Sequence, residues 1–319
     1  MKHMKRILLV ILTLALVIGL VACGPKDKPD TQGGDKKFKV GINNWGVANF
    51  FARKGKAALE DELAKLGCEV VSTVTDDVTS RMEAIENLAA QGCDAIIVEE
   101  GDINEVATAC KEARESGIII GSMDAGTADF VDVYVSSDNH ALGKSVGEIL
   151  AKEIDGKGRI VEIISDAGSM IRMRRDAVHE VLEDYPDIEI AYSISYAWPD
   201  FYTDTKNKIE AILQANPNPG DISAIFASFD GVGVAAADAV REAGLQDSIV
   251  IVGIDGDPDA YEEMRKDDTG FVATMAQDPD TIARVCVQEV VKLLEGKEIE
   301  NNVIYIPGFL VTKDNIPDE

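Results

Sequence analysis

The stretch SAIFASFDGVGVAAADAVREAGLQDSIVIVGI (223–254) decides the fold. It opens on a short apolar run, SAIFAS (223–228), passes through a helical pattern at 231–243, and closes on a second run, IVIVGI (249–254). Continuous apolar runs on either side of a helix are the mark of parallel strands buried on both faces.

Working outward, the unit repeats in both directions. Upstream lie FKVGI (38–42), EVVSTV (69–74), AIIVEE (95–100), IIIGSM (118–123) and VYVSS (133–137). Between them, Ala57, Leu59, Leu63 and Leu66 recur at near-helical spacing until Gly67, Met82, Ile85 and Leu88 until Gly92, and Val106, Cys110 and Ala113 until Gly117. The pattern restarts near Asp138 with RIVEII (159–164), IEIAYSISY (188–196), the two runs quoted first, and FVATMA (271–276). Helices are predicted at 139–153, 170–184, 203–215, 231–243, 257–266 and 279–294. Ten strands in two sets of five predict an α/β protein of two doubly wound parallel-sheet lobes, because a single open parallel sheet of ten strands is unusual.

The N-terminus sets the compartment. Lys2, Lys5 and Arg6 precede an apolar run, Ile7 to Val21, that is short for a spanning helix and ends in Leu20-Val21-Ala22-Cys23. This is a signal-peptide pattern, and its last four residues resemble a lipobox, in which Cys23 is lipidated and becomes the new N-terminus. Residues 1–22 are therefore read as a signal peptide. Residues 23–37, rich in Gly, Pro and charge with no large apolar side chain, are read as a lipidated flexible tether. The expected location is extracytoplasmic, anchored to the cell membrane by N-terminal lipid.

The formal charge of −26 becomes about −29 once Lys2, Lys5 and Arg6 are removed. A chain so acidic is repelled by nucleic acid and anionic lipid, and the acidity is read as a solvated surface. Cys68, Cys93, Cys110 and Cys286 form no CxxC, and only His140 and His179 remain in the mature chain. Buried thiols are expected, with no metal site and no cofactor. GxSxG, HExxH and P-loop patterns are absent, and GDPD (256–259) is explained by Asp257 capping a helix that begins at Pro258. Asp138 is read as a cap in the same way. The chain is therefore read as a non-enzyme.

In open parallel sheets ligands gather at the carboxyl ends of strands, so the residues just past each run are the candidates. They include Asn44, Trp45, Phe50 and Phe51 after the first run, then Asp124, Arg174, Trp198, Phe229, Asp255 and Gln277. Carboxylates and a forked arginine read hydroxyl groups. Aromatic planes pack on sugar C–H faces.

Taken together, AIFASFDGVGVAAADAV (224–240), IVGIDGDPDA (251–260), VATMAQDPDTIA (272–283) and SSDNHALGKSVGEIL (136–150) resemble the ribose-type periplasmic sugar-binding proteins of ABC importers, which share their fold with the ligand domains of LacI-type repressors. The likeness runs from about Phe38 to the C-terminus. It implies sugar stacking at Phe50-Phe51 and at Trp198 or Phe201, and polar contacts from Asp124, Arg174, Asp255 and Gln277. It also implies a three-segment hinge near Ser137, Gln277 and Tyr305, dividing an N-terminal lobe (38–137 plus 277–304) from a C-terminal lobe (138–276 plus 305–319). Ala125 and Phe229 stand where ribose binders commonly carry arginine and asparagine, so a hexose, another pentose or a short oligosaccharide fits at least as well as ribose. The implied partners are a small-molecule sugar, an ABC permease and its ATPase, and the membrane through the lipid anchor. No nucleic acid is expected, and the chain is read as a monomer. A ligand-presenting sensor subunit for an autoinducer or nucleoside, acting through a membrane receptor or kinase, is the alternative; the repressor branch is set aside because a leader occupies the place of its DNA-binding domain.

Overall fold

A computed structural model describes residues 37–318. The signal segment, Cys23 and the tether as far as residue 36 lie outside the described residues. Among the described residues no helix is long and apolar enough to cross a membrane.

The first lobe is built on β1 (Lys39–Trp45), α1 (Phe50–Lys65), β2 (Glu69–Thr75), α2 (Val78–Ala90), β3 (Ala95–Glu99), a 3-10 turn (Ile103–Val106), α3 (Ala107–Glu115), β4 (Ile119–Met123) and β5 (Val133–Ser137). Each of the three α-helices ends two residues before its glycine stop, at Gly67, Gly92 and Gly117. At Gly67, in left-handed conformation (φ +77), the amides of Gly67 and Cys68 donate to the carbonyls of Ala64 and Leu63, which satisfies the last free carbonyls of α1.

The second lobe continues with α4 (Asn139–Glu153), β6 (Lys157–Ile164), α5 (Ser169–Leu182), β7 (Asp187–Ser195), α6 (Phe201–Ala215), β8 (Ala224–Ala227), α7 (Asp230–Glu242), β9 (Val250–Asp255), α8 (Pro258–Arg265) and β10 (Phe271–Ala276). Asp138 and Asp257 cap α4 and α8 by accepting from the amides of Ala141 and Asp259. The chain ends with α9 (Pro279–Leu294), β11 (Val303–Ile306) and β12 (Phe309–Thr312).

Two six-stranded sheets result, ordered β11-β5-β4-β3-β1-β2 and β12-β10-β9-β8-β6-β7. All pairings are parallel except β12 with β10. Both sheets reverse direction of winding beside their first strand, at β1/β3 and β6/β8, which is where doubly wound sheets open a ligand crevice. Helices cover both faces: α1 and α9 pack on one side of the first sheet and α2 and α3 on the other. In the second lobe α6, α7 and α8 oppose α4 and α5.

The chain passes between sheets after Ser137, after Ala276 and after Ile306. The third passage differs from the one expected at Tyr305. Tyr305 pairs with Ser136 inside β11, so the first sheet keeps the chain through Ile306, and the crossing falls at Pro307-Gly308. There Gly308 approaches the Ala276 carbonyl so closely that a Cβ would sit 2.8 Å from its oxygen. Cys68, Cys93, Cys110 and Cys286 are all buried, and none is in a disulfide.

Candidate functional site

The carboxyl ends of eight strands converge on a cavity of about 230 Å³ between the two sheets. Trp45 comes from β1, Glu100 follows β3, and Asp124 follows β4. From the other lobe come Ser165 after β6, Tyr196 and Trp198 after β7, Phe229 after β8, and Asp255 at the end of β9. Phe51 of α1 and Arg174 of α5 add to the wall, as do Asn49, Gly101 and the 167–171 segment, with Asp76 exposed at its edge.

Three of these acids occupy backbone conformations that side-chain-bearing residues rarely adopt: Glu100 and Asp124 at φ 54 and Asp255 at φ 135. Such a conformation costs about 1–3 kcal/mol per residue and persists only where the surroundings hold it. Here they do. The Asp124 amide donates to the Val135 carbonyl, and its Oδ1 accepts from Ser136 and Asn139. Asp255 Oδ1 accepts from Arg174 Nη1 at 3.2 Å and from Gln277 Nε2 at 2.9 Å. The amide of Gln277 in turn donates to the Asp255 carbonyl. Among the described residues nothing hydrogen-bonds to Oδ2 of either aspartate, so one oxygen of each remains for the cavity.

Arg174 is 3% exposed. Its Nε donates to Asn139 Oδ1 at 2.7 Å, and its Nη1 reaches the Ser228 carbonyl at 3.0 Å as well as Asp255. Nη2 is left without a protein acceptor among the described residues. Burial raises the Asp124 and Asp255 carboxyls, Asp255 to about 6 even though Arg174 opposes the shift.

Aromatic rings form the rest of the wall. Tyr196 and Phe229 meet edge to face at 5.2 Å, and Phe201 packs edge to face on Phe229 at 5.0 Å. Trp198 stacks on Phe201 at 5.9 Å, so Trp198 faces the cavity while Phe201 backs it. Across the cleft, Trp198 lies against Gly46, where a Cβ would sit 2.8 Å from Cζ2. The lobes also meet through the Arg172–Asp102 ion pair and the Ser169 amide, which donates to the Gly101 carbonyl at 3.4 Å.

Trp45, Phe51, Asp124, Arg174, Trp198, Phe229 and Asp255 are thus brought together. Asn44, Phe50 and Gln277 do not line the cavity. Strand alternation turns Asn44 under α1, where it donates to Glu99 Oε2 at 2.8 Å. Phe51 rather than Phe50 faces inward from α1, and Gln277 holds Asp255 from behind. Glu100 and Tyr196 were missed, although both are the last residues of the runs AIIVEE and IEIAYSISY. The rule applied to residues just past each strand extends to these two.

A buried support lies behind the first lobe's wall. Arg81, 1% exposed, donates through Nη2 to the carbonyls of Glu99 and Glu100 at 2.8 and 2.6 Å and through Nε to Asn43 Oδ1 at 2.9 Å. Its guanidinium carbon lies 5.2 Å from the centre of the Trp45 ring.

Residues 40–298 match the periplasmic binding protein domain family. The chain is 27% identical over 307 residues to the ribose import binding protein of Bacillus subtilis, covering 94% of this chain and 97% of that one. It is 26% identical to a xylitol-binding protein of Mycolicibacterium smegmatis, over 95% of this chain and 84% of the other. Among solved structures, an ABC transporter solute-binding protein from Agrobacterium vitis with bound allitol superposes with a TM-score of 0.82 at 26% identity, over 88% of this chain and 97% of that one.

Proposed function

The chain belongs to the periplasmic binding protein domain family, and on that premise we propose that it is the extracytoplasmic solute-binding subunit of an ABC importer, taking one small sugar or polyol into the cleft and closing on it for delivery to the permease. It is a binding protein, not an enzyme.

The observation that carries this reading is the cavity wall: among the described residues, Asp124 Oδ2, Asp255 Oδ2 and Arg174 Nη2 have no protein hydrogen-bond partner, and they stand among aromatic planes. Acceptors and a forked donor fixed in a mostly apolar cleft read hydroxyl groups with high discrimination, because a solute lacking one leaves a group unpaired when it is buried. The size of about 230 Å³ falls below the roughly 300–1,000 Å³ of drug-sized clefts, which favours a single ring or a short acyclic polyol over an oligosaccharide. The ribose, xylitol and allitol named for the relatives are all of that size class. Export and lipidation at Cys23 rest on the sequence LVAC (20–23), and two acyl chains give stable membrane attachment where one does not.

A thermal-shift screen of the mature protein against pentoses, hexoses, amino sugars, alditols and disaccharides tests the proposal. Stabilisation by a monosaccharide or alditol is expected. No shift from any of them would remove the reading. Mass spectrometry of the N-terminal peptide checks Cys23 for the acyl modification.

A further inference from the structure

The charge of the cleft points to a narrower solute class. This inference rests on the cleft being a polyol site. Within its wall, Glu100, Asp124 and Asp255 face a single cation, Arg174, with Asp76 adding a further acid at the rim. Arg174 is committed to Asp255 by an ion pair in which both side chains are about 95% buried or more. Residue 125, beside Asp124, is a buried alanine and supplies no charge.

Glu100 is the acid left without an answer. Its backbone is pinned on both sides: the amide donates to the Met123 carbonyl at 2.9 Å, and the carbonyl accepts from Arg81. Its carboxyl receives one hydrogen bond among the described residues, a long one of 3.5 Å from Asn49 Nδ2 to Oε1. Arg81 lies behind the main chain, where Nε and Nη2 are taken by Asn43 and the two carbonyls; none of its nitrogens hydrogen-bonds to the Glu100 carboxyl among the described residues, Nη1 being buried without a partner. Burial, then the neighbouring acidic side chains of Glu99, Asp124 and Asp255, push Glu100 well above the usual carboxylate range. A half-buried carboxyl in such company either keeps its proton or takes a cation from outside. Trp45 and Trp198 line the same space, and an indole face attracts a desolvated cation.

We propose that the solute is a polyol carrying a protonated amine, an amino sugar or aminocyclitol, whose ammonium group is held by Glu100 and Asp124 while its hydroxyls are read by Asp255 and Arg174. A neutral sugar can offer Glu100 a hydroxyl donor but no balancing charge on burial. An ammonium group supplies three donors and the missing charge.

Isothermal titration of the mature protein with D-glucosamine, D-galactosamine, D-mannosamine and an amino-deoxyinositol, each beside its neutral hydroxyl parent and its N-acetyl form, tests this. At least one amine is expected to bind tenfold or more tighter than both counterparts. In Glu100→Gln, checked for folding by its thermal midpoint, the ratio of amine to neutral affinity is expected to collapse toward one. Binding of a neutral sugar or alditol equal to or tighter than its amine would overturn the proposal and leave the polyol site standing. An amine preference that survives in folded Glu100→Gln would overturn the role of Glu100. Binding of none of these solutes or their alditols would remove both the proposal and the polyol reading beneath it.

Discussion

Arg81 Nη2 donates to the main-chain carbonyl of Glu100 at 2.6 Å, so a buried cation on α2 fixes the backbone from which a cleft carboxyl projects. The same nitrogen holds the Glu99 carbonyl, and burial lowers the Arg81 pKa only to about 10. It therefore stays charged at neutral pH. Removing it strands two carbonyls and Asn43 Oδ1 in the core. Arg81→Met should destabilise the protein by about 3 kcal/mol and weaken solute binding, measured by urea unfolding and titration. Wild-type stability in this variant would show that water replaces the guanidinium.

In the proposed function, Asp124, Arg174 and Asp255 read the solute's hydroxyl groups. Alanine at any one should weaken solute binding by about 2 kcal/mol or more, as for buried charge-assisted hydrogen bonds. Asp255→Ala also leaves Arg174 buried without its carboxylate, so this variant should lose stability beyond that of Asp124→Ala. Calorimetry and unfolding midpoints read the two effects separately.

Glu99 sets a pH dependence. It is fully buried, and burial pushes it from 4.5 to about 8. Below pH 4.5 both native and unfolded chains hold this proton. Between 4.5 and about 8 the unfolded chain releases it and the native one keeps it, so stability falls as pH rises through that window. Glu99→Gln keeps an oxygen for Asn44 and cannot titrate. Its plot of thermal midpoint against pH should decline less than wild type between pH 5 and 8, roughly that same window. Parallel plots would remove Glu99 from the account.

The proposed closure on a solute places a demand on Gly46. Its φ of +66 and the 2.8 Å approach of Trp198 leave no place for a side chain while the lobes are shut. Gly46→Ala should lower solute affinity about tenfold or more and stability by about 1 kcal/mol. An unchanged affinity would mean that Trp198 moves freely in the bound state.

Much of this architecture was legible because its determinants are local. Val/Ile runs, helical spacing and the stops at Gly67, Gly92 and Gly117 carry their own reasons. β11 and β12 were not legible: VIYI and FLVT are short edge strands with half-exposed residues, and what makes them strands is the partner across the ladder. Within the site, residue type was readable but orientation was not. Asn44 and Trp45 are neighbours that pleating sends to different places, and Phe50 and Phe51 are separated by one helical step. Glu100 was hidden inside a run read as strand, and its position depends on Arg81, nineteen residues earlier.

The most direct test of the central claim is a calorimetric titration of the mature protein with single-ring sugars, amino sugars and alditols, repeated in Asp255→Ala. The account expects one-to-one saturable binding of at least one of these solutes, weakened by tenfold or more in the variant. Absence of saturable binding across the panel, or affinity unchanged in a folded Asp255→Ala protein, would contradict it.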